Sequence, residues 1–250
     1  MDTKGLRTWI EIDRSAIKHN YDVFRSLIPE KTKLCGVVKS NAYGHDFMQY
    51  AKELEKLGVD WIAVDSITEG VRLRKEGIVS PIFILGYTLP ERIKEAVDND
   101  ISVTVSTFES LEDVSEVKGV KVHIKLDTGM SRQGFLENDK EKLFEVLKKK
   151  DINVEGVFTH FASAKNPTLP HSPKKQIEKF NVWKESFEKE GFDPIFHASA
   201  TSGTLLFSEA HFDMVRIGIG IYGLWPSIEA KEFLDGKIEL KPVLKWKTVI

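Results

Sequence analysis

A lysine directly follows a short apolar run near the N-terminus of this 250-residue chain, and a lysine in that place can do covalent chemistry. The run, Leu34 to Val38, predicts a buried strand, and Lys39 is placed at its carboxyl end. Burial makes an ammonium group costly to keep charged, which favours a neutral amine that can attack a carbonyl carbon. The structural alternative is a side chain that reaches from the strand end into water.

Other polar side chains also follow predicted strands. If those strands form a parallel barrel, their carboxyl ends meet at one face, where barrel proteins bind their ligands. The residues or segments at these positions are Lys39, Asp65, Gly86-Tyr87, Ser106, Lys125-Leu126-Asp127, His160, Ser199-Ala200-Thr201 and Arg216-Ile217-Gly218. The three cations, the histidine and the hydroxyl groups predict a basic mouth that suits an anionic ligand.

The last two predicted strands are followed by small and hydroxylated residues. Residues 201–203 (Thr-Ser-Gly), Gly218 and Gly220 would let backbone N–H groups approach a phosphate, although the same residues also suit ordinary turns. A phosphate site together with an amine-bearing Lys39 suggests pyridoxal phosphate as the cofactor. Tyr43 would either reach that phosphate or pack on the barrel.

Two further residues have both a structural and a functional interpretation. Arg216 would either face the pyridine nitrogen of the cofactor or form a buried ion pair. His160 would be either a hydrogen-bonded core histidine or a residue that stacks on the cofactor ring or orients Arg216. The sequence pattern alone leaves both choices open.

Apolar strands alternate with helical patterns from residue 34 onward, which predicts parallel pairing and a (β/α)8 barrel. The predicted strands are 34–39, 61–65, 81–86, 101–105, 120–126, 154–161, 195–200 and 213–219. The predicted helices are 46–57, 67–76, 90–98, 108–117, 137–150, 173–190 and 202–208.

The chain is expected to have three parts. Residues 1–33 hold a strand at 7–12 and a helix that Asp13 can cap, and residues 34–224 form the barrel. Residues 225–250 form a linker and the start of an incomplete β-domain, because 241–250 alternates like a strand. Residues 163–173 and 223–236 are predicted to be loops.

Composition excludes several classes of protein. The 36 basic and 38 acidic residues nearly balance, which argues against a nucleic-acid-binding surface. The chain has no apolar run of membrane-spanning length and no apolar signal segment, so we expect a soluble cytoplasmic protein with no membrane partner. Its single cysteine, Cys35, excludes an intrachain disulfide and a cysteine-based metal site, and no metal is expected.

Four motifs, in this order, are similar to those of the alanine racemases, a family of fold-type III pyridoxal-phosphate enzymes. They are VKSNAYGH at 38–45, KLDTGMSR at 125–132, THFASA at 159–164 and VRIGIGIYGL at 215–224. The resemblance spans nearly the whole chain and corresponds to the barrel domain of the family. It implies interconversion of L- and D-alanine, which supplies D-alanine for peptidoglycan.

The resemblance also implies a role for individual residues. Lys39 would bond to the cofactor and serve as one catalytic base, and Arg132 would bind the substrate carboxylate. Lys125 would be the lysine that is often carbamylated in the family, although a simple charge pair with Asp127 is the alternative. His160 would support the cofactor ring and Arg216. The phosphate would be held by Tyr43, Thr201, Gly218 and Ile219.

Two departures from the family pattern matter for activity. The second base of the family is a tyrosine of a C-terminal β-domain, delivered by the partner subunit, and none of the five tyrosines here falls in that motif. We therefore expect this chain alone to have reduced or no racemase activity and to form a weakened homodimer. The strand at 7–12 is expected to lack a partner and to leave an exposed apolar edge. Residues 200–202 (Ala-Thr-Ser) also lack an asparagine that many relatives have.

Two other functions remain open from the sequence. One is a single-domain, non-catalytic pyridoxal-phosphate carrier or homeostasis protein, for which the Arg132 motif would be unnecessary. The other is a racemase of a different amino acid, such as serine.

Overall fold

A computed structural model describes residues 5–249 and contains a barrel of eight parallel strands. The barrel strands are β2 Lys33–Val37, β3 Trp61–Val64, β4 Ile82–Ile84, β5 Ile101–Val105, β6 Lys121–Lys125, β7 Asn153–Phe158, β8 Ile195–His197 and β9 Met214–Ile217. They are joined in the order β8-β7-β6-β5-β4-β3-β2-β9. Hydrogen bonds from the N–H of Asp213 to the carbonyl of Phe196 and from the N–H of Arg216 to the carbonyl of Ser199 join the β8 and β9 segments and close the barrel. The predicted barrel is confirmed.

Helices cover the outside of the barrel, and several begin at a polar capping residue. Asp13, Ser66 and Thr107 accept hydrogen bonds from the first turns of their helices, as N-cap residues do. The bounds are α1 Arg14–Leu27, α2 Lys39–Gly44, α3 Phe47–Lys56, α4 Ile67–Lys75, α5 Ile93–Asp98, α6 Phe108–Ser115, α7 Lys140–Lys149, α8 His171–Lys189, α9 Thr201–Leu206 and α10 Ile228–Phe233. None of the helices within residues 5–249 combines the length and apolar character needed to cross a membrane.

The strands separate two hydrophobic clusters. The larger cluster lies between the strands and the helices, whereas a smaller one fills the barrel interior with Cys35, Val37, Trp61, Ala63, Phe83, Phe158 and Met214. The interior also holds buried polar side chains, among them His123, His197 and Arg216. A buried polar group must be hydrogen-bonded to avoid a large desolvation cost, so these three require partners inside the barrel.

The two terminal strands form a separate ribbon. Strand β1 (Thr8–Ile12) pairs antiparallel with β10 (Leu244–Thr248), with Thr8 opposite Thr248 and Ile12 opposite Leu244. The prediction that the first strand lacks a partner is therefore wrong. The ribbon still exposes apolar surface, because Trp246 is 76% exposed.

Element bounds differ from the sequence predictions in several places. The segment after β2, for which no element was predicted, is a left-handed turn of four consecutive residues, Ser40 to Tyr43, with φ between 52° and 55°. The loop predicted for 223–236 contains α10, which begins at a Ser227 side-chain cap. Several strands also end earlier than predicted, because sequence hydrophobicity continues into buried loops beyond the last ladder hydrogen bond.

Candidate active site

A cavity of about 590 Å³ opens at the carboxyl ends of the barrel strands. Its walls include all nine site residues expected from the sequence: Lys39, Tyr43, Lys125, Arg132, His160, Thr201, Arg216, Gly218 and Ile219. The cavity thus brings together cations, hydroxyl groups and glycines from five separate segments of the chain. Asp65 also lines it and is the carboxylate closest to Lys39.

Lys39 is held at the mouth of this cavity by the left-handed turn that follows β2. The Nζ atom of Lys39 lies 2.9 Å from Oδ1 of Asp65, and the lysine side chain is 35% exposed. Of the two alternatives for Lys39, burial and a side chain that reaches into water, the structure shows an intermediate, half-buried position, because the strand ends two residues earlier, at Val37. Non-glycine residues with positive φ are costly, and a run of four requires support from the surrounding structure.

Glu69 supplies part of that support, and sequence reasoning missed it. One carboxylate oxygen of Glu69 accepts from the N–H of Ser40 at 2.8 Å, and the other accepts from the N–H of Asp65 at 2.7 Å. The same side chain thus holds the backbone next to Lys39 and the backbone of Asp65, and so positions both residues of the pair. The available signal was the Ser-x-x-Glu spacing from Ser66, which is typical of a helix capping box.

Tyr43 and Gly218 face each other across one wall of the cavity. A Cβ atom at position 218 would lie 2.9 Å from Oη of Tyr43, so a larger residue there would require the tyrosine side chain to shift. The hydroxyl of Thr201 accepts from the N–H of Gly220 at 3.1 Å, which leaves its own proton free to be donated. Burial raises the pKa of Tyr43 and keeps its phenol a hydrogen-bond donor. This wall therefore offers donors to an anion.

Arg216 is buried at the base of the cavity with its planar group fixed. Its Nη1 lies 2.7 Å from Nδ1 of His197, and its Nη2 donates to the carbonyls of Thr159 and Ala198 at 2.8 and 3.0 Å. Burial lowers the pKa of Arg216 to about 10, so the guanidinium keeps its proton at neutral pH. Its histidine partner is His197 rather than the expected His160.

The histidines near Arg216 are neutral. Burial, followed by the positive charges of Arg216 and Lys125, lowers the pKa of His160 to about 3. His197 is buried inside the barrel, and burial likewise lowers its pKa well below the usual value. Sequence reasoning missed His197, although a histidine in the middle of an apolar strand was a visible signal.

Lys125 is the buried cation of the site. Its side chain is enclosed, and Nζ donates a long hydrogen bond of 3.4 Å to the carbonyl of Leu126. Burial, followed by repulsion from Arg216 and Arg132, lowers the pKa of Lys125 to about 7, with Asp127 opposing the shift. Within residues 5–249 no ion pair joins it to Asp127, so the simple charge pair is not formed.

Asp127 instead organises the loop that carries Arg132. Its carboxylate accepts hydrogen bonds from the backbone N–H groups of Gly129, Met130, Ser131 and Arg132, at 2.8 to 3.1 Å. These bonds favour the ionised form and lower the pKa of Asp127, against the opposing effect of burial. The exposed Arg132 is therefore presented to the cavity by a loop wrapped around one side chain.

Replacing Asp127 with alanine is expected to loosen this loop without unfolding the barrel. Each hydrogen bond to a charged group contributes about 1.5–3 kcal/mol, so amide exchange at residues 129–132 should accelerate by at least about tenfold. Hydrogen-exchange mass spectrometry of the corresponding peptide would measure this. Asp139→Ala is the matched control, because that carboxylate accepts from the N–H of Leu136 instead. Equal exchange in wild type and Asp127→Ala would contradict the prediction.

Comparison with known proteins gives one consistent family. Residues 12–226 match the family model described as "Alanine racemase, N-terminal domain". Alanine racemase 1 of Oceanobacillus iheyensis is 37% identical over 246 residues, which cover 96% of this chain and 64% of that protein. The chain therefore spans about two thirds of the length of this relative.

Solved structures give the same result. Alanine racemase of Clostridium difficile 630 superposes with a TM-score of 0.91 at 35% identity, covering 97% of this chain and 64% of that one. Alanine racemase of Bacillus anthracis, solved with bound L-Ala-P, superposes with a TM-score of 0.88 at 35% identity, covering 96% and 63% respectively. At these identities the similarity extends beyond a shared barrel fold.

Proposed function

The chain belongs to the alanine racemase family, and from this premise we propose that its cavity binds pyridoxal phosphate and supports the interconversion of L- and D-alanine. The observation that carries the proposal is the convergence of Lys39, Arg132 and Arg216 on one cavity. An amine, a carboxylate-binding fork and a permanently charged guanidinium are the groups that an amino-acid substrate and this cofactor require.

The residues around the cavity fit such a cofactor. Thr201 has a free hydroxyl proton, Gly218 leaves room beside Tyr43, and the first turn at Ile219 has N–H groups without intrahelical acceptors. We assign the phosphate to these four residues, and the pyridine nitrogen to Arg216. His160, neutral and beside Arg216 in the cavity wall, would flank the ring.

The residues of this chain would divide the chemistry among them. The bound cofactor withdraws electrons from the substrate α-carbon and so acidifies its proton. Lys39 removes or returns that proton on one face, and Asp65 holds its amine in place beforehand. Arg132 binds the substrate carboxylate. The protonated Arg216 leaves the pyridine nitrogen unprotonated, which favours prompt return of the proton to the α-carbon.

Racemisation requires a second acid–base group on the opposite face of the α-carbon. Among the described residues that line the cavity, Tyr43 is the one tyrosine, and we assign its phenol to the phosphate. We therefore propose that the chain alone exchanges the α-proton faster than it inverts the α-carbon. The second base would come from a C-terminal β-domain of a partner subunit, so the isolated chain should dimerise weakly.

The remaining assignments follow from the same premise. We propose a barrel domain at 34–224 between an N-terminal segment at 1–33 and the start of a β-domain at 225–250. We also propose a cytoplasmic protein whose product supplies cell-wall synthesis. The bound L-Ala-P of the Bacillus anthracis relative supports a small amino-acid ligand for this cavity.

Incubation with pyridoxal phosphate and L-alanine in D2O tests the proposal. We expect loss of the α-proton signal by NMR and slower appearance of D-alanine by chiral chromatography. L-Serine in a parallel reaction tests the substrate, and exchange of serine in preference to alanine would reassign it. Cofactor binding without exchange of either amino acid would favour a carrier protein and contradict catalysis.

Lys125 is expected to react with CO2. A lysine with a pKa of about 7 is half neutral at neutral pH, and CO2 adds only to the neutral amine. The carbamate would replace a buried positive charge beside Arg132 and Arg216 with a negative one, and we propose that it then fixes Arg132. Its occupancy should rise as the pH increases through about 7 and fall below it.

Carbon-13 NMR of the protein in labelled bicarbonate would detect this carbamate. The signal should disappear in Lys125→Ala and persist in Lys121→Ala. Lys121 is a matched control on the same strand, because its ion pair with Asp100 at 2.5 Å raises its pKa against the effect of burial. A signal that survives in Lys125→Ala would place the carbamate elsewhere.

A further inference from the structure

A line of hydrogen-bonding groups crosses the barrel interior away from the cavity. It begins at Arg216, continues through His197 at 2.7 Å, and reaches His123, whose Nδ1 lies 2.9 Å from Nε2 of His197. It ends at Glu155, whose Oε2 lies 3.4 Å from Nε2 of His123. The described mechanism uses only the first of these four residues.

The hydrogen bonds along this line are all donated in the same direction, away from Arg216. A guanidinium can only donate, so Nδ1 of His197 must accept from Arg216 and its proton must be on Nε2. That Nε2 donates to Nδ1 of His123, which places the proton of His123 on Nε2, facing the Glu155 carboxylate. Both rings are neutral, because complete burial lowers the pKa of each histidine.

Aromatic walls isolate the two rings. Phe83 stacks on His123 with centroids 4.2 Å apart, and Phe158 stacks on His197 with centroids 5.0 Å apart and planes at 8°. These contacts exclude other hydrogen-bond partners from the faces of the rings. The direction of hydrogen-bond donation along the line is therefore set by the groups at its two ends, Arg216 and Glu155.

An irregularity in β7 turns Glu155 into the barrel. Val122 pairs with Val154, but the next residue, His123, pairs with Gly156, so Glu155 is an extra residue in the strand. Val154 and Val157 both pack in the outer cluster, whereas strict alternation would place them on opposite faces. Bulges of this kind redirect side chains near functional sites.

Gly156 makes room for the line. A Cβ atom at this position would lie 2.3 Å from Nδ1 of His123, so any larger residue would displace the ring. At the outer end, the hydroxyl of Ser102 donates to Glu155, and Nζ of Lys121 lies 3.7 Å from the same carboxylate. Both contacts favour an ionised Glu155. Nε2 of His123 makes no hydrogen bond within residues 5–249, and the Glu155 carboxylate faces it at 3.4 Å.

We propose that Glu155 is a positioning residue that acts on Arg216 through His123 and His197. It selects the tautomer of both rings, so that His197 presents a lone pair, and not an N–H, to the guanidinium. Without this carboxylate, only Arg216 opposes a joint reversal of the His123 and His197 tautomers, and in the reversed state two donors would face each other at Arg216. The guanidinium would shift from the place assigned to the pyridine nitrogen. Only this last consequence rests on the proposed function.

Long-range nitrogen–proton NMR correlation with labelled histidine measures the tautomers without any cofactor. In the wild type we expect both His123 and His197 to carry their proton on Nε2 throughout the neutral range. In Glu155→Leu, which has no acceptor, we expect a second tautomer with the proton on Nδ1. Glu155→Gln should restore the wild-type spectrum, since its amide oxygen can accept. His211, whose Nε2 lies 3.0 Å from the carbonyl of Thr204, is the internal reference.

A wild-type spectrum with either ring charged or protonated on Nδ1 would overturn the proposal, even if the leucine variant failed to fold. Identical spectra of wild type and Glu155→Leu would also overturn it. With cofactor and alanine, kcat for α-proton exchange should fall by about tenfold in Glu155→Leu, as for other outer-shell partners, with KM nearly unchanged. If the wild type binds no cofactor, the proposed function fails, but the NMR spectra still decide the role of Glu155.

Discussion

Lys39→Ala is expected to abolish covalent capture of pyridoxal phosphate and to slow α-proton exchange of alanine by at least about a thousandfold. The variant removes both the amine that bonds to the cofactor and the base on one face of the substrate. Because Lys39 is partly exposed and, within residues 5–249, its ammonium pairs only with Asp65, its loss should leave the fold intact. Borohydride reduction followed by peptide mass mapping would identify the modified lysine in the wild type and its absence in the variant.

Lys165→Ala is the matched control, because Lys165 lines the same cavity but lies in the loop after β7. It should retain both cofactor capture and exchange. Modification of Lys165 or Lys125 in the wild type, with Lys39 unmodified, would contradict the assignment. Such a result would leave a barrel with a basic mouth and no assigned covalent lysine.

Arg216→Met is expected to reduce the free energy of unfolding by about 3–5 kcal/mol. The substitution removes a buried charge that satisfies three acceptors, one on His197 and two on the backbone carbonyls of Thr159 and Ala198. Each acceptor would remain buried without a donor, which costs far more than the loss of a solvated bond. Urea denaturation followed by circular dichroism would measure the change at constant m-value.

Arg132→Met serves as the control for this stability measurement. Arg132 is exposed at the cavity mouth, so its replacement should change the unfolding free energy by no more than about 0.5 kcal/mol. It should instead raise KM for alanine in the exchange assay, because the carboxylate loses its bidentate partner. A loss of stability in Arg132→Met as large as that in Arg216→Met would mean that burial does not distinguish the two arginines.

Local patterns in the sequence predicted the architecture. Strand hydrophobicity, helix periodicity and a capping residue such as Asp13 each act over fewer than about ten residues, and the alternation of strands and helices predicts a barrel. Because parallel strands bring their carboxyl ends to one face, Lys39, Lys125 and Arg216 could also be predicted to meet, whereas Arg132 was placed there only by the family resemblance. The family motifs supplied roles that spacing alone left open.

Other features depend on contacts between distant segments, which no local pattern encodes. The sequence placed Lys39 in a strand, but the left-handed turn and the Glu69 carboxylate, 29 residues from Ser40, give it an exposed position beside Asp65. Lys125 acquires its low pKa from enclosure and from two arginines brought near it by the fold.

The line from Arg216 to Glu155 is the clearest case. Strand alternation would point Glu155 outward, and only the pairing of β7 with β6 places the extra residue that turns it inward. The sequence by itself determined the barrel and the residues at its mouth, since these follow from periodicity along the chain. The tertiary structure decided their charge states and hydrogen-bond partners, since these depend on burial and on register between strands.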